Sequence, residues 1–409
     1  MKNIFQIVVY FFALTGLAFL SVFFAMKYGL TKTTGSIDSQ SSYFKNAYQK
    51  VSKTDASGDM IEPDDYCIIK TISISSNSDL ERILKAFTDN HNDIKLLYNM
   101  LAAYKYSWTE NDTNSQNFEQ CINQNKNKAY TVADVVEFNK ENKDTTSLLW
   151  ANTSEWQIFE EAILKDKEVI DRVSQEVGVD KRFLITPLVV EQLRLFSSQR
   201  EIFKKYFAPL RILGSQTQFS LGIYGIKEET AKQIERNLKD KNSSYYLGVK
   251  YENILDIKAD DNLTYTINND NLKLITSTSS TATSSSATSS TSTDSVATTS
   301  VRTLNATEYE RIKRLTDEHD HYYSYLYAAL YIKELATSWQ KAGYDISDRP
   351  EIIATLYNIG FAKSNPKPNP EVGGAIIDVG TTRYTFGSLA YQFYYSGLLS
   401  QDFGYPTNK

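Results

Sequence analysis

Glu191 is the residue of this chain best placed to do chemistry. It lies in Phe183-Leu184-Ile185-Thr186-Pro187-Leu188-Val189-Val190-Glu191-Gln192-Leu193-Arg194-Leu195-Phe196, a run that is otherwise nearly all apolar. On a helix it shares a face with Leu188 and Leu195, so its carboxylate points where apolar side chains point. A carboxylate there is costly unless it pairs, takes up a proton or lines a cleft. Desolvation favours the protonated form, which suits a general acid working near neutral pH. The plainer reading is a rim carboxylate, or one bonded to a core Tyr or Arg, because structural networks perturb carboxylates too.

Other candidate groups are weaker. His319-Asp320-His321 puts two imidazoles at i and i+2, on different sides of a helix, which is a poor metal pair. Ser42-Tyr43-Phe44-Lys45 and Ser338-Trp339-Gln340-Lys341 fit S-x-x-K, but no SDN or KTG element supports either. The chain holds no GxSxG, P-loop or dinucleotide fingerprint, and neither a metal nor another cofactor is implied. Net charge is −5 with no basic stripe, which argues against nucleic acid as a partner. The 28 Tyr and 20 Phe serve either carbohydrate stacking or core packing.

Helical periodicity surrounds the candidate acid. Ile158, Ala162 and Ile163, then Val169, Ile170, Val173 and Val177, keep a 3.6-residue spacing. Gly178 ends that helix and Asp180 is a candidate N-cap for the next. Pro187 either kinks the Glu191 helix or starts it, with Thr186 as N-cap. Ser220 to Lys227 reads as a turn or short extended piece, and Glu228 to Leu238 as a helix with an acidic first turn. Helices return over Ala306 to Ala342 and Arg349 to Tyr357. Upstream, Ile68 to Ser75 alternates loosely like a strand, Leu80 to Phe87 and Ile94 to Tyr104 read as helices, and Asn111 to Asn117 as a loop.

The organisation follows. Residues 1–27 hold the uncharged run Ile4 to Met26, long enough for a bilayer, which takes ~20 apolar residues. A cleaved signal peptide is the rival reading, but its apolar core is normally shorter. The expectation is an uncleaved anchor with the bulk of the chain extracytoplasmic, in the cell envelope. Residues 28–60 read as a polar stalk and 61–153 as an accessory region. Residues 154–239 and 302–409 form the helical domain around Glu191. Residues 240–275 read as a β-rich insertion with a hairpin at Asn268-Asn269-Asp270-Asn271. The Ser/Thr tract at 276–301 cannot bury enough apolar surface to order itself. Cys67 and Cys121 form one disulfide in an oxidising compartment, or else remain two buried thiols.

Three segments then stand in a recognisable order. They are Val177-Gly178-Val179-Asp180 leading to Glu191, Ser220-Leu221-Gly222-Ile223-Tyr224-Gly225-Ile226-Lys227-Glu228-Glu229-Thr230-Ala231, and Ala354-Thr355-Leu356-Tyr357-Asn358-Ile359-Gly360. The series resembles the lytic transglycosylase domain of the soluble-lytic-transglycosylase type, related to goose-type lysozyme, over roughly 165 to 235 and 315 to 362. The resemblance implies a mainly α (α+β) lysozyme-like domain with Glu191 as catalytic acid. Gly222, Ile226, Thr230 and Ala231 match the family's sugar-groove segment. Tyr357, Asn358 and Gly360 match its cleft-closing motif. Ser220 and Tyr224, with Gln192 beside the acid, complete the substrate-binding set.

This chain departs from the pattern at three places. Gln192 stands where the family usually has Ser, Gly225 replaces the groove Gln, and Glu228 replaces a Pro. The implied substrate is peptidoglycan, cut at the MurNAc–GlcNAc bond with a 1,6-anhydro end and no water. A lysozyme-type hydrolase would need a second carboxylate, for which Glu201, Glu228 and Glu229 are candidates. A noncatalytic glycan-binding scaffold would keep the cleft without turnover.

Overall fold

The computed structural model describes residues 6, 10, 17, 35–54, 60–108, 112–128, 130–131, 134, 146–197, 220–221, 223–259, 263–268, 271–278, 301–317, 319–380 and 382–406. Among them the protein is mainly helical, with fourteen α-helices and only two- and three-stranded sheets. No helix of the described residues is long and apolar enough to cross a membrane. The anchor expected over Ile4 to Met26 lies outside them apart from three single positions, and so does the Ser/Thr tract beyond Thr278.

The first layer begins where a stalk was expected. Strand β1 (Ser36–Ile37) and helix α1 (Ser41–Lys53) belong to the fold. Asp38 is buried and accepts from Tyr106 Oη at 3.0 Å and Thr385 Oγ1 at 2.8 Å. Tyr43 Oη donates to Ala102 O at 2.7 Å. Such long-range bonds hold a polar segment that composition alone reads as solvated.

After β2 (Met60–Ile61) come α2 (Pro63–Ser75), α3 (Asn77–Asp89), α4 (Ile94–Tyr106) and α5 (Thr113–Asn125). Helix α2 replaces the expected strand over Ile68 to Ser75. Pro63 sits in its first turn with Asp64 and Asp65, which suits a helix start and its dipole. Burial of Cys67, Ile68, Ile69 and Ile72 outweighs the β-propensity of the isoleucines. Helix α5 takes most of the expected loop at Asn111 to Asn117, because Asp112 caps it by accepting from Ser115 N at 2.7 Å. The Cys67–Cys121 disulfide ties α2 to α5 with Cα atoms 5.6 Å apart.

Strand β3 (Tyr130–Thr131) pairs with β2. The chain then enters α6 (Ser154–Lys165), α7 (Lys167–Val177) and α8 (Lys181–Ser197). Gly178 ends α7 in the left-handed region at φ +70°. Asp180 caps α8 through Arg182 N at 2.8 Å and Phe183 N at 3.2 Å. Helix α8 therefore starts before Thr186 and carries Pro187 inside it. Thr186 is not an N-cap; its hydroxyl donates back to Arg182 O at 2.6 Å.

A short hairpin, β4 (Ser220–Leu221) and β5 (Ile226–Lys227), leads into α9 (Glu228–Lys239). Residues 240–259 are turns and one 3-10 piece, so the β-rich part of the expected insertion starts later. It is β6 (Leu263–Asn268) between β7 (Asn271–Thr278) and β8 (Val301–Asn305). Helices α10 (Ala306–Thr316), α11 (Tyr322–Lys341) and α12 (Pro350–Ile359) follow. Strand β9 (Gly373–Gly374) pairs with β1, and β10 (Ile376–Val379) with β11 (Thr382–Thr385). Helices α13 (Phe386–Tyr395) and α14 (Ser400–Phe403) close the described chain.

One core cluster runs from Phe44 to Phe403, so the accessory region and the Glu191 domain share a core. Trp150 Nε1 donates to Gln392 Oε1 at 3.0 Å, and Gln392 Nε2 donates to Ala103 O at 3.0 Å. Arg182 fixes α8 to the end of α13. It is fully buried and donates to the carbonyls of Phe393 at 2.9 Å, Tyr394 at 2.6 Å and Leu398 at 2.8 Å. Burial lowers its pKa to about 10.

Two expectations follow for stability. Replacing both cysteines by serine lengthens the free loop of the unfolded chain across a separation of 54 residues. Denaturant unfolding should show a loss of about 4 kcal/mol in the chain-entropy model, and an unchanged midpoint would contradict this. Glu334, on α11, is fully buried, and burial holds its pKa well above the ordinary range against an Asn237 Nδ2 bond at 2.9 Å. The unfolded chain releases this proton near pH 4 while the folded chain keeps it. Its contribution therefore falls by about 1.4 kcal/mol per pH unit above that value. Glu334→Gln should gain stability over wild type at pH 7 but not at pH 4; parallel curves would contradict it.

Candidate active site

Glu191 sits in α8 nine residues beyond Arg182 and is only 4% exposed. Its cost is met by pairing. Arg194 Nε donates to Glu191 Oε2 at 3.0 Å, and Arg194 Nη2 donates to Oε1, so one guanidinium spans both oxygens. The two residues are i and i+3 on one helix, the spacing at which side chains meet. The carboxylate is thus held by an arginine and covered, as the plainer reading of the sequence has it, rather than lining a cleft.

The hairpin β4–β5 supplies the seat. Gly225 stands at φ +61°, and a Cβ there would fall 2.3 Å from Glu191 Oε1 and 2.9 Å from its Cδ. Only a glycine tolerates both that conformation and that approach. Gln192 Nε2 donates to Ile223 O at 2.7 Å. In return Tyr224 Oη donates to Leu184 O at 2.9 Å. The acid's helix and the hairpin therefore grip each other from both sides.

Helix α12 brings the third segment to the same place. Tyr357 Oη donates to Tyr224 O at 3.2 Å. Burial pushes the Tyr357 hydroxyl well above its ordinary pKa, with the neighbouring Tyr224 and Glu191 adding to it. It stays a neutral donor across the working pH range. Behind it, Tyr331 Oη donates to Tyr357 O at 3.3 Å, with ring centroids 4.9 Å apart.

The remaining site candidates divide. Glu191, Gln192, Tyr224 and Tyr357 meet. Ile226 is a core residue of the hairpin, and Thr230 lies half-buried on α9. Ser220 pairs with Lys227 across the hairpin. Asn358 is a scaffold residue whose Oδ1 accepts from Ala375 N at 2.8 Å, fixing the approach to β10. Gly222 and Glu201 lie outside the described residues. Glu228 is engaged by Lys232 at 3.0 Å, and Lys232 also reaches Glu308 at 3.0 Å and Glu229 at 3.6 Å. No group of His, Cys, Asp and Glu among the described residues fits a metal ion.

Two residues that matter here were not among the sequence candidates. Arg194 had a signal in its i+3 spacing from Glu191. Gly225 had been read only as a departure from a glutamine.

Gly225→Ala should destabilise the protein by at least about 1–2 kcal/mol from the left-handed backbone alone, with the clash on Glu191 in addition. Denaturant midpoints measure it, and an unchanged midpoint would show that the seat is not tight. No family model, curated protein or solved structure matches this chain.

Proposed function

We propose that the protein is a peptidoglycan lytic transglycosylase with Glu191 as its acid and base. One observation carries the reading: three segments far apart in the chain converge on one carboxyl group. Glu191 rests on Gly225, and the carbonyl of Tyr224 beside it is held by Tyr357. The segments and their order are those of the resemblance described above.

The proposed chemistry needs a single carboxyl. Protonated Glu191 gives its proton to the glycosidic oxygen as the bond to C1 of the muramic acid breaks. The carboxylate so formed takes the proton of the 6-hydroxyl, and O6 bonds to C1. Gln192 and Tyr357 act on the hairpin that seats the acid, as positioning residues. The product is an anhydro end, with no cofactor. The Cys67–Cys121 disulfide supports an exported setting, because such bonds persist in oxidising compartments. The apolar run Ile4 to Met26 gives that setting a membrane anchor.

A second reading, a glycan-binding scaffold without turnover, is favoured by the guanidinium on both oxygens of Glu191. The two separate on Glu191→Gln. In the enzyme, release of muropeptides from purified sacculi should fall roughly 10²–10⁴-fold while folding and glycan binding persist. Equal activity of variant and wild type would remove Glu191 from the mechanism. An inactive wild type that still pellets with sacculi would establish the scaffold.

A further inference from the structure

A cavity lies away from Glu191, where α1 and α4 meet α13 and the start of α12, and it shares no residue with the candidate active site. Its volume is about 190 Å³, below the ~300–1,000 Å³ of drug-sized sites, which leaves room for a small molecule. Tyr48, Tyr391 and Tyr395 line it. Tyr391 Oη donates to Asn99 Oδ1 at 3.3 Å and Tyr395 Oη to Asp348 O at 3.4 Å, so these two hydroxyls are engaged and the rings remain as apolar surface.

Four charged side chains complete the lining. Glu351, in the first turn of α12, is 1% exposed. Its Oε1 accepts from Arg349 Nε, while its Oε2 is buried with no hydrogen-bond partner. Such an atom in a folded protein calls for a donor from outside the chain. Arg349 is buried as well, with its guanidinium 4.2 Å from the centre of the Tyr48 ring. Asp348 and Lys95 are partly exposed, and neither forms an ion pair among the described residues. Burial raises the Asp348 pKa above the ordinary aspartate value, which marks a carboxylate short of counter-charge.

The bare acceptor is therefore deep, and the unpaired cation stands toward solvent. The lining as a whole is neutral, with Lys95 and Arg349 against Asp348 and Glu351. A lone cation or anion would bring net charge into a partly desolvated space, whereas a ligand with both signs would not. We propose that the cavity binds a small free α-amino acid as its zwitterion. The ammonium group donates to Glu351 Oε2 and Asp348, the carboxylate faces Lys95, and the side chain lies against the tyrosine rings. No covalent step is involved, and the inference stands apart from the glycan-cleaving reading.

Calorimetric titration of the full chain tests it. The probes are alanine and leucine, each with the amine left on loss of its carboxylate and the acid left on loss of its ammonium group. At least one amino acid should bind. Its acid should bind roughly tenfold more weakly or worse, the range for losing a hydrogen bond to a charged group. Its amine should lose roughly two- to fivefold, because a contact with partly exposed Lys95 is worth less. Asp348→Asn should weaken the amino acid roughly tenfold. Lys95→Gln should weaken it roughly two- to fivefold and leave the amine unchanged. Both residues are partly exposed and unpaired, so both variants should fold; Glu351→Gln is the poorer choice, since it leaves Arg349 buried without its partner. No binding of either amino acid overturns the inference. An amine or acid that binds as tightly as its amino acid also overturns it, and so does full affinity in Asp348→Asn or in Lys95→Gln.

Discussion

The position of the candidate acid depends on one buried cation. Arg182 lies in the first turn of α8, is fully buried, and gives its hydrogen bonds to carbonyl oxygens at and beyond the end of α13. Two of these carbonyls, on Phe393 and Tyr394, lie in the last turn of α13, at the negative end of its dipole. A buried charge without such acceptors would cost several kcal/mol, so this contact has one stable geometry. Helix α8 is pinned along its axis as a result. Glu191 follows nine residues on, about 13 Å further at 1.5 Å per residue, on a helix that cannot slide.

The second constraint is a set of tyrosines whose hydroxyls bond backbone carbonyls. Tyr224 bonds Leu184, Tyr357 bonds Tyr224, and Tyr331 bonds Tyr357. Each ring buries a large apolar surface, and each hydroxyl finds a carbonyl partner in the core. The three link α8, the hairpin, α12 and α11 without any charge. In that neutral surround the Glu191–Arg194 pair stands as a local polar feature, and the lack of a side chain at Gly225 gives it room.

Much of this was legible from spacing. Helices α3, α4, α7, α9 and α12 form where expected, and Gly178 and Asp180 act as the stop and start that their types suggest; α6 forms too, but it buries Trp156, Phe159 and Ile163 and leaves Ile158 and Ala162 exposed. The disulfide joins the two cysteines that the sequence reading paired. What was not legible is held by contacts distant in sequence. Ile68, Ile69 and Ile72 look like a strand until α4 and α5 pack around them. Residues 35–54 look like a tether until Asp38 finds Tyr106 and Thr385. At the site, the apolar face around Glu191 was readable, and its partner Arg194 stood three residues away. The contact with Gly225 was not readable, because a missing side chain leaves no pattern to find.

The central claim is that one carboxyl group breaks a glycosidic bond without water. Digestion of sacculi in heavy-oxygen water tests it directly. The account predicts new muramic acid ends lighter by one water than hydrolysed ends, and free of heavy oxygen. One heavy oxygen in each new end would contradict it and identify a hydrolase; an absence of new ends would contradict it in favour of a binding protein.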